Sequence, residues 1–518
     1  MINKILALID KNLEKIIFII AIFLSIGSFI YYYNSGLITA YGDASSHLNI
    51  ARRVFDNVNP GLAQLGGYWL PLLHILMIPF VKIDYLWRTG IAGSIVNIPI
   101  YILSVLFMYR MVYEITLNKI QAFISSLIIA LNLNFLYLQT TAMTEPLFIG
   151  TLIISSYCLV KWIKTNNIIN LILAGCLLFL ASLNRYESWS SILVSVGIVW
   201  LATIIKYGIN NKSLKKAEGA LFLFGTIALL GIFLWLVWQQ VIFGNFLFFI
   251  NSEFSSNAQT GLGIVKGSNP NYHNLTNSIL AYTYGVKHIS GVIVFGIFLL
   301  SIVKFILFNK KNIFKKENLV LLVLLAPYIF EIYAFYKGHA PFNIPEVPEP
   351  VGFDPPFFNV RLAIDVLPAV AVFIGLLTKK RIIQVILILL IIINSAMFLP
   401  YAGGKIPVLL DALNSEIPAR QPTVKWINNN YQGGNILISS AVTDSIIRES
   451  GLNYGNFITE GSGKYWTESL KEPENYVKYI IMTSDPRDSI KNHADLNKIN
   501  SKYNLVAEYY SVQIFKIR

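Results

Sequence analysis

The feature that most constrains this chain is a succession of about eleven apolar runs, each about 17 to 25 residues long, the length a helix needs to cross a bilayer. They fall near 14–33, 91–112, 120–138, 145–162, 168–184, 188–206, 218–240, 289–308, 318–336, 360–378 and 382–400. In lipid every backbone N–H and C=O must be satisfied internally, so such runs fold as helices. Composition agrees: 55% apolar residues, 13% charged residues and a mean hydropathy of +0.58 over 518 residues exclude a soluble globular chain. The expected fold class is an all-α polytopic membrane domain over residues 1–400, followed by a soluble α/β domain over 401–518.

The net charge of +13 does not point to nucleic acid. The basic residues gather in short clusters between apolar runs, where they act as topology signals. "KWIKTNN", "KYGINNKSLKKAE", "KFILFNKKNIFKKE" and "TKKR" occupy alternate connections, and the N-terminus carries Lys4, Lys11 and Lys15. The positive-inside rule makes all of these cytoplasmic. An odd number of spans then places the N-terminus in the cytoplasm and everything after Pro400 outside the cell membrane. The first run lacks a small-residue cleavage site and reads as a retained span. Cys158 and Cys176 lie in apolar runs without metal-ligand spacing.

This topology gathers the long connections on the outer face: Asn34 to about Trp87, Val241 to His288, and the Pro-rich "KGHAPFNIPEVPEPVGFDPPFFNVR". Long loops without secondary structure are uncommon unless functional, so chemistry is expected there. After Tyr401, "PTVKWINNNY" reads as a helix and "NILISS", "YVKYIIMTS" and "LVAEYYSVQIFKI" as strands.

The candidate residues come from distant segments. In "LITAYGDASSHLNIARR", Asp43 is either the N-cap of an amphipathic surface helix or a general base, and His47 stands four residues on. Leu48, Ala51, Val54, Phe55 and Val58 form the apolar stripe of that helix, with Arg52 and Arg53 on its polar side. "TTAMTEPLF" supplies Glu145 at a helix start. "LNRYES" supplies Arg185 and Glu187. "NVRLAIDVLPA" places Arg361 and Asp365 four residues apart, either as an intrahelical pair or as an anion-binding arginine with its orienting partner. Glu331 is an acid inside a span and so marks a functional position without an evident role. External acids and arginines suit transfer of a sugar from a lipid phosphate: the acceptor needs a base and the departing phosphate needs cations.

On these motifs, taken in order with "YWLPLLHIL", the chain resembles the GT-C class of membrane glycosyltransferases, in the branch of protein O-mannosyltransferases, aminoarabinose transferases and RgtA/B/C/D-like enzymes. The resemblance spans roughly the first 400 residues. It implies Asp43 as catalytic base and Glu145 as second catalytic acid, with Arg185, Glu187 and Arg361 around the lipid phosphate and sugar. His47 and Arg52 join them as substrate-binding residues on the rim. It further implies a polyprenyl- or dolichyl-phosphate donor, mannose or a related hexose first, and an inverting reaction onto a protein, glycan or lipid hydroxyl. The pattern fixes no cofactor, and whether Asp43 and Glu145 hold a divalent metal ion is left open. Leu362 stands where the family often has Tyr, and the "WWDYG" signature of oligosaccharyltransferases is absent. The alternative reading is a lipid or polysaccharide transporter whose external polar residues line a translocation path.

Overall fold

The computed structural model describes residues 2–252, 255, 258, 269–308, 315–347, 357–399, 404–414 and 417–518. Parts of the long connection after Val241, of the basic stretch near 309–314 and of the Pro-rich loop lie outside the described residues. Every predicted apolar run is helical at least in part. Six helices are each long and apolar enough to cross a membrane: Asn12–Asn34, Ile91–Thr116, Glu145–Thr165, Glu187–Tyr207, Asn211–Phe243 and Lys316–Lys337. A seventh span forms if Leu275–Ser290 and Val292–Leu307, bent by 120° at their junction, count as one. The remaining predicted runs are shorter helices: Lys119–Ala130, Ile168–Ser182, Leu367–Gly375 and Arg381–Ala396. Among the described residues, eleven full-length spans thus become six or seven with shorter apolar helices packed among them.

The breaks have a local cause. The run at 120–138 stops at Ala130 and restarts at Leu133, because the Asn132 side chain accepts from the Phe135 amide and caps the second helix. At the 120° bend Gly291 adopts φ +84°, and a Cβ there would meet Asn394 Oδ1 at 2.4 Å. The backbone groups freed by the bend are taken up by buried asparagines. Asn132 and Asn134 donate to the Ile289 carbonyl at 2.8 and 3.0 Å, and Asn394 donates to the Ser290 carbonyl at 2.8 Å. Without such partners, broken helices in an apolar surround would leave unsatisfied carbonyls.

The C-terminal part folds as expected, with two additions. Strands β1 (Ile436–Ile438), β2 (Phe457–Ile458), β3 (Tyr479–Thr483), β4 (Tyr503–Tyr509) and β5 (Val512–Ile517) form one sheet in the order β2-β1-β3-β5-β4. The β1 strand runs parallel to β2 and β3, while β5 runs antiparallel to β3 and β4. "LVAEYYSVQIFKI" is not one strand but a hairpin, closed at Tyr510–Ser511 with Tyr510 in the left-handed region at φ +53°. The two-residue β2 is too short to give an alternating pattern.

The helix after the first span runs from Gly42 to Arg52 and is buried on both faces, so it is not a surface helix. One side packs on Leu72–Val81; the other receives the C-terminal domain. Asn49 Nδ2 donates to Asp444 Oδ1 at 2.8 Å, and Asp56 accepts the amides of Tyr454 and Gly455 at 3.1 and 2.9 Å. The helix ends at Arg52, so Phe55 and Val58 never join its stripe.

Candidate active site

Asp43 lies inside the first turn of this helix and not at its cap; Tyr41 occupies the N-cap and makes no side-chain cap. Its side chain is 40% exposed and meets Arg361, whose Nη2 donates to Asp43 Oδ2 at 2.6 Å. The same guanidinium reaches buried Glu145, with Nε 3.4 Å from Oε1. Arg185 approaches Glu145 from the other side, Nη1 to Oε1 at 2.7 Å, and contacts Glu187 at 2.5 Å and Asp365 at 3.5 Å through Nη2. A chain of alternating charge therefore runs from Asp43 through Arg361, Glu145 and Arg185 to Glu187 and Asp365.

Each link has a local origin. Glu145 opens its helix with Pro146 beside it, and Thr144 is held by two groups of the "LNRYES" turn: Asn184 donates to its carbonyl at 2.9 Å and Arg185 to its hydroxyl at 3.0 Å. Asn97 fixes the preceding turn by donating to the carbonyls of Thr141 and Met143. Arg361 and Asp365 do not form the i,i+4 pair expected of an α-helix. Val360–Val366 is a 3-10 helix, in which residues three apart eclipse and those four apart diverge. Arg361 accordingly faces Asp43 and Glu145 while Asp365 faces Arg185.

These groups border a cavity of about 440 Å³. Asp43, His47, Glu145, Arg185, Glu187 and Arg361 all line it, as do Tyr68, Trp69, Tyr186, Trp189 and Phe249 on its aromatic side. Glu331, without an assigned role from sequence, also faces it. Arg52 does not. Its guanidinium pairs with Asp56 at 2.8 Å and Asp84 at 2.6 Å, donates to the Val81 carbonyl, and lies over the Trp87 ring. Arg52 therefore anchors the loop and, unlike the other expected substrate-binding residues, does not line the cavity.

His47 does not turn back to Asp43. Its Nδ1 meets His74 Nε2 at 2.8 Å, and its ring packs on Trp69 with centroids 4.5 Å apart. Burial, reinforced by Arg361 and Arg185, pushes the His47 imidazole down to about 3, so it is neutral at physiological pH.

Sequence reasoning missed Asp411. It accepts the Tyr41 hydroxyl at 3.0 Å and the Asn359 amide at 3.2 Å, and the Tyr41 ring lies under the Arg361 guanidinium at 5.1 Å. Burial pushes the Asp411 carboxyl up to about 6, against the opposing pull of Arg361 and of its hydrogen bonds to Tyr41 and Asn359. Only a composition shift precedes it in the chain, and no motif marks it.

The proposed metal pair, Asp43 and Glu145, is bridged by Arg361, a fixed cation where an ion would sit. The acids that converge are Glu187, Glu331 and Asp365, with one oxygen from each within 4.8 Å of the others. Carboxylate oxygens are the donors hard divalent cations take, and both Asp365 oxygens are buried without a hydrogen-bond partner among the described residues. Arg185 Nη2 already contacts two of these acids, Glu187 at 2.5 Å and Asp365 at 3.5 Å, so a cation held there would share them with the guanidinium.

No family model matches the chain, and no curated protein matches it. Solved structures do. ArnT from Cupriavidus metallidurans bound to undecaprenyl phosphate superposes with a TM-score of 0.55 at 10% identity, covering 95% of this chain and 97% of that one. Its apo form gives 0.56 over the same shares. The oligosaccharyltransferase of Archaeoglobus fulgidus gives 0.50 at 12% identity, covering 91% of this chain and 70% of that one. The chain thus has the fold of the GT-C membrane glycosyltransferases.

Proposed function

We propose that this protein is a membrane glycosyltransferase that moves a sugar from a polyprenyl-phosphate donor to an extracytoplasmic hydroxyl. One observation carries the reading. Within a GT-C fold, a single cavity brings together a half-exposed carboxylate, Asp43, and two guanidiniums, Arg185 and Arg361, each held by buried acids. The bound undecaprenyl phosphate of ArnT supports a lipid-phosphate donor. Mannose or a related hexose is the first donor sugar to test.

Asp43 Oδ2 is engaged by Arg361, and Oδ1 accepts no hydrogen bond among the described residues, so Oδ1 is left for a proton. In the proposed inverting step the acceptor oxygen attacks the anomeric carbon while its proton passes to Asp43. The bond from that carbon to the phosphate oxygen breaks, and the electron pair leaves with polyprenyl phosphate. Arg185 and Arg361 stabilise the phosphate charge without moving, because their acidic partners already fix them. A divalent ion at Glu187, Glu331 and Asp365 would add positive charge to the deep wall.

Orientation follows from charge. Glu114 pairs with Lys161 and Lys164, and Arg110 with Glu14, roughly 25 Å along the Ile91–Thr116 helix from its site end. By the positive-inside rule we assign these basic ends to the cytoplasm, and with that assignment the cavity, the first loop and the C-terminal domain are outside. We take residues 1–400 as the transferase domain and 401–518 as an external domain that borders it.

The test is purified full-length protein in nanodiscs with radiolabelled polyprenyl-phosphate hexose and a membrane acceptor extract. Release of free polyprenyl phosphate is expected and should fall at least 100-fold in Asp43→Asn. Unchanged release in that variant excludes Asp43 as base; movement of intact donor across the membrane without release identifies a transporter.

A further inference from the structure

Two histidines meet at the wall of the cavity. His47 sits in the middle of Gly42–Arg52, and His74 stands in the first turn of Leu72–Val81, the helix packed against it. His74 belongs to the "YWLPLLHIL" stretch, is fully buried and does not itself line the cavity. Its place is tied to the turn that carries Arg185: the Leu72 amide donates to the Leu183 carbonyl at 2.9 Å, and the Tyr186 hydroxyl donates to the Tyr68 carbonyl at 2.8 Å. The His47 ring is held on one face by Trp69, with centroids 4.5 Å apart, and at Nδ1 by His74 Nε2 at 2.8 Å.

One proton lies between those two nitrogens, and the surroundings decide which ring supplies it. Burial foremost, then Arg361 and Arg185 on His47 and His47 and Arg53 on His74, holds both imidazoles below their ordinary value. Each ring therefore carries a single proton. His74 Nδ1 is buried and has no hydrogen-bond partner among the described residues. Buried N–H groups go without a partner less often than buried acceptors do, so this nitrogen is the bare one. The His74 proton then belongs on Nε2 and is donated to His47 Nδ1. With Nδ1 filled as an acceptor, His47 carries its own proton on Nε2. That nitrogen makes no hydrogen bond among the described residues and is the one left to the cavity.

We propose that His74 is a positioning residue, which locks His47 in the tautomer that presents a neutral Nε2–H donor to a phosphate oxygen of the lipid-linked substrate. The proposal rests on the transferase reading and deepens its phosphate site. The charges that act on His47 are the guanidiniums of Arg361 and Arg185, the two groups that reading gives to the phosphate. A sugar hydroxyl both donates and accepts, so it would take either tautomer and a lock would change nothing. A phosphate oxygen only accepts, and the other tautomer would aim a lone pair at it. A neutral donor also adds no charge to a wall where each guanidinium is already held by acids.

The experiment is nitrogen NMR of the full-length protein in nanodiscs, with 15N-labelled histidine. The chain has six imidazoles, and His47→Phe and His74→Leu assign the two signals by their loss. In the wild type both rings should show a protonated Nε2 and a bare Nδ1. Polyprenyl phosphate should shift His47 Nε2 and leave His74 Nδ1 in place. In His74→Leu, His47 should become a mixture of tautomers. Polyprenyl phosphate should bind about tenfold more weakly to His47→Phe and about threefold more weakly to His74→Leu. The double variant should bind no more weakly than His47→Phe alone, because His74 acts only through His47. A bare His47 Nε2 in the wild type, an Nε2 signal unmoved by bound polyprenyl phosphate, or losses that add in the double variant overturns the proposal. The wild-type spectra decide it even where a variant fails to fold. Inorganic phosphate that shifts Nε2 where polyprenyl phosphate does not bind upholds the locked donor and overturns the lipid-linked reading; binding of neither anion overturns both.

Discussion

Arg361 Nη2 donates to Asp43 Oδ2 at 2.6 Å across 318 residues of sequence, and its Nε lies 3.4 Å from Glu145. One planar guanidinium thus sets the spacing between an exposed carboxylate and a buried one. Lysine keeps the charge but offers a point donor, which cannot span both acids in fixed geometry. Arg361→Lys should lower kcat for polyprenyl-phosphate release on the order of 100-fold, with little change in the amount of folded protein. Steady-state kinetics in nanodiscs measure it.

Arg185 holds Glu145, Glu187 and Asp365 at once. Replacing it with methionine leaves three buried acids short of a cation, which should cost about 3–5 kcal/mol of stability. The double variant Arg185→Met/Glu145→Gln should recover part of that loss, because the two residues share one network. Chemical unfolding in detergent reads both.

Arg52 sits away from the cavity, in the Asp56 and Asp84 ion pairs. Arg52→Ala should lower the unfolding midpoint by several degrees, while KM for the donor stays within twofold of the wild type. A tenfold rise in KM would return Arg52 to the substrate site.

Asp411 titrates near 6 in the folded protein against an ordinary value of 3.8. The folded state therefore holds this proton more tightly than the unfolded chain does. The resulting stability is full below about pH 4 and is lost as pH rises through about 6. Relative to Asp411→Asn, the wild type should lose on the order of 3 kcal/mol over that interval. The opposite contribution of His47 is common to both proteins and cancels. Unfolding curves at half-unit pH steps check the sign.

Much of the site was legible because each member stood at the head of a helix or in a turn. Asp43, Glu145, Arg185, Glu187 and Arg361 were readable as external polar residues at the ends of apolar runs, and all five border one cavity. Arg52 misled because helical spacing gives it a polar face without saying what covers that face; here Asp84 and the Val81 carbonyl do. Of the two readings of the Arg361–Asp365 spacing, the intrahelical pair is not formed, because four-residue spacing presumes 3.6 residues per turn and the segment is a 3-10 helix. Asp411 and His74 carried no local signal, since their partners Tyr41 and His47 lie far away in sequence.

The sequence by itself determined that the chain is helical and membrane-embedded, where its basic ends lie, and that a sheet domain follows. Those properties follow from apolar run length, lysine placement and residue alternation, all local quantities. Only the tertiary structure decided which acid each arginine holds, where the helices break, and that His74 meets His47. Buried charges and freed carbonyls are satisfied by whichever partner packing brings within about 3 Å, and no local pattern records that partner.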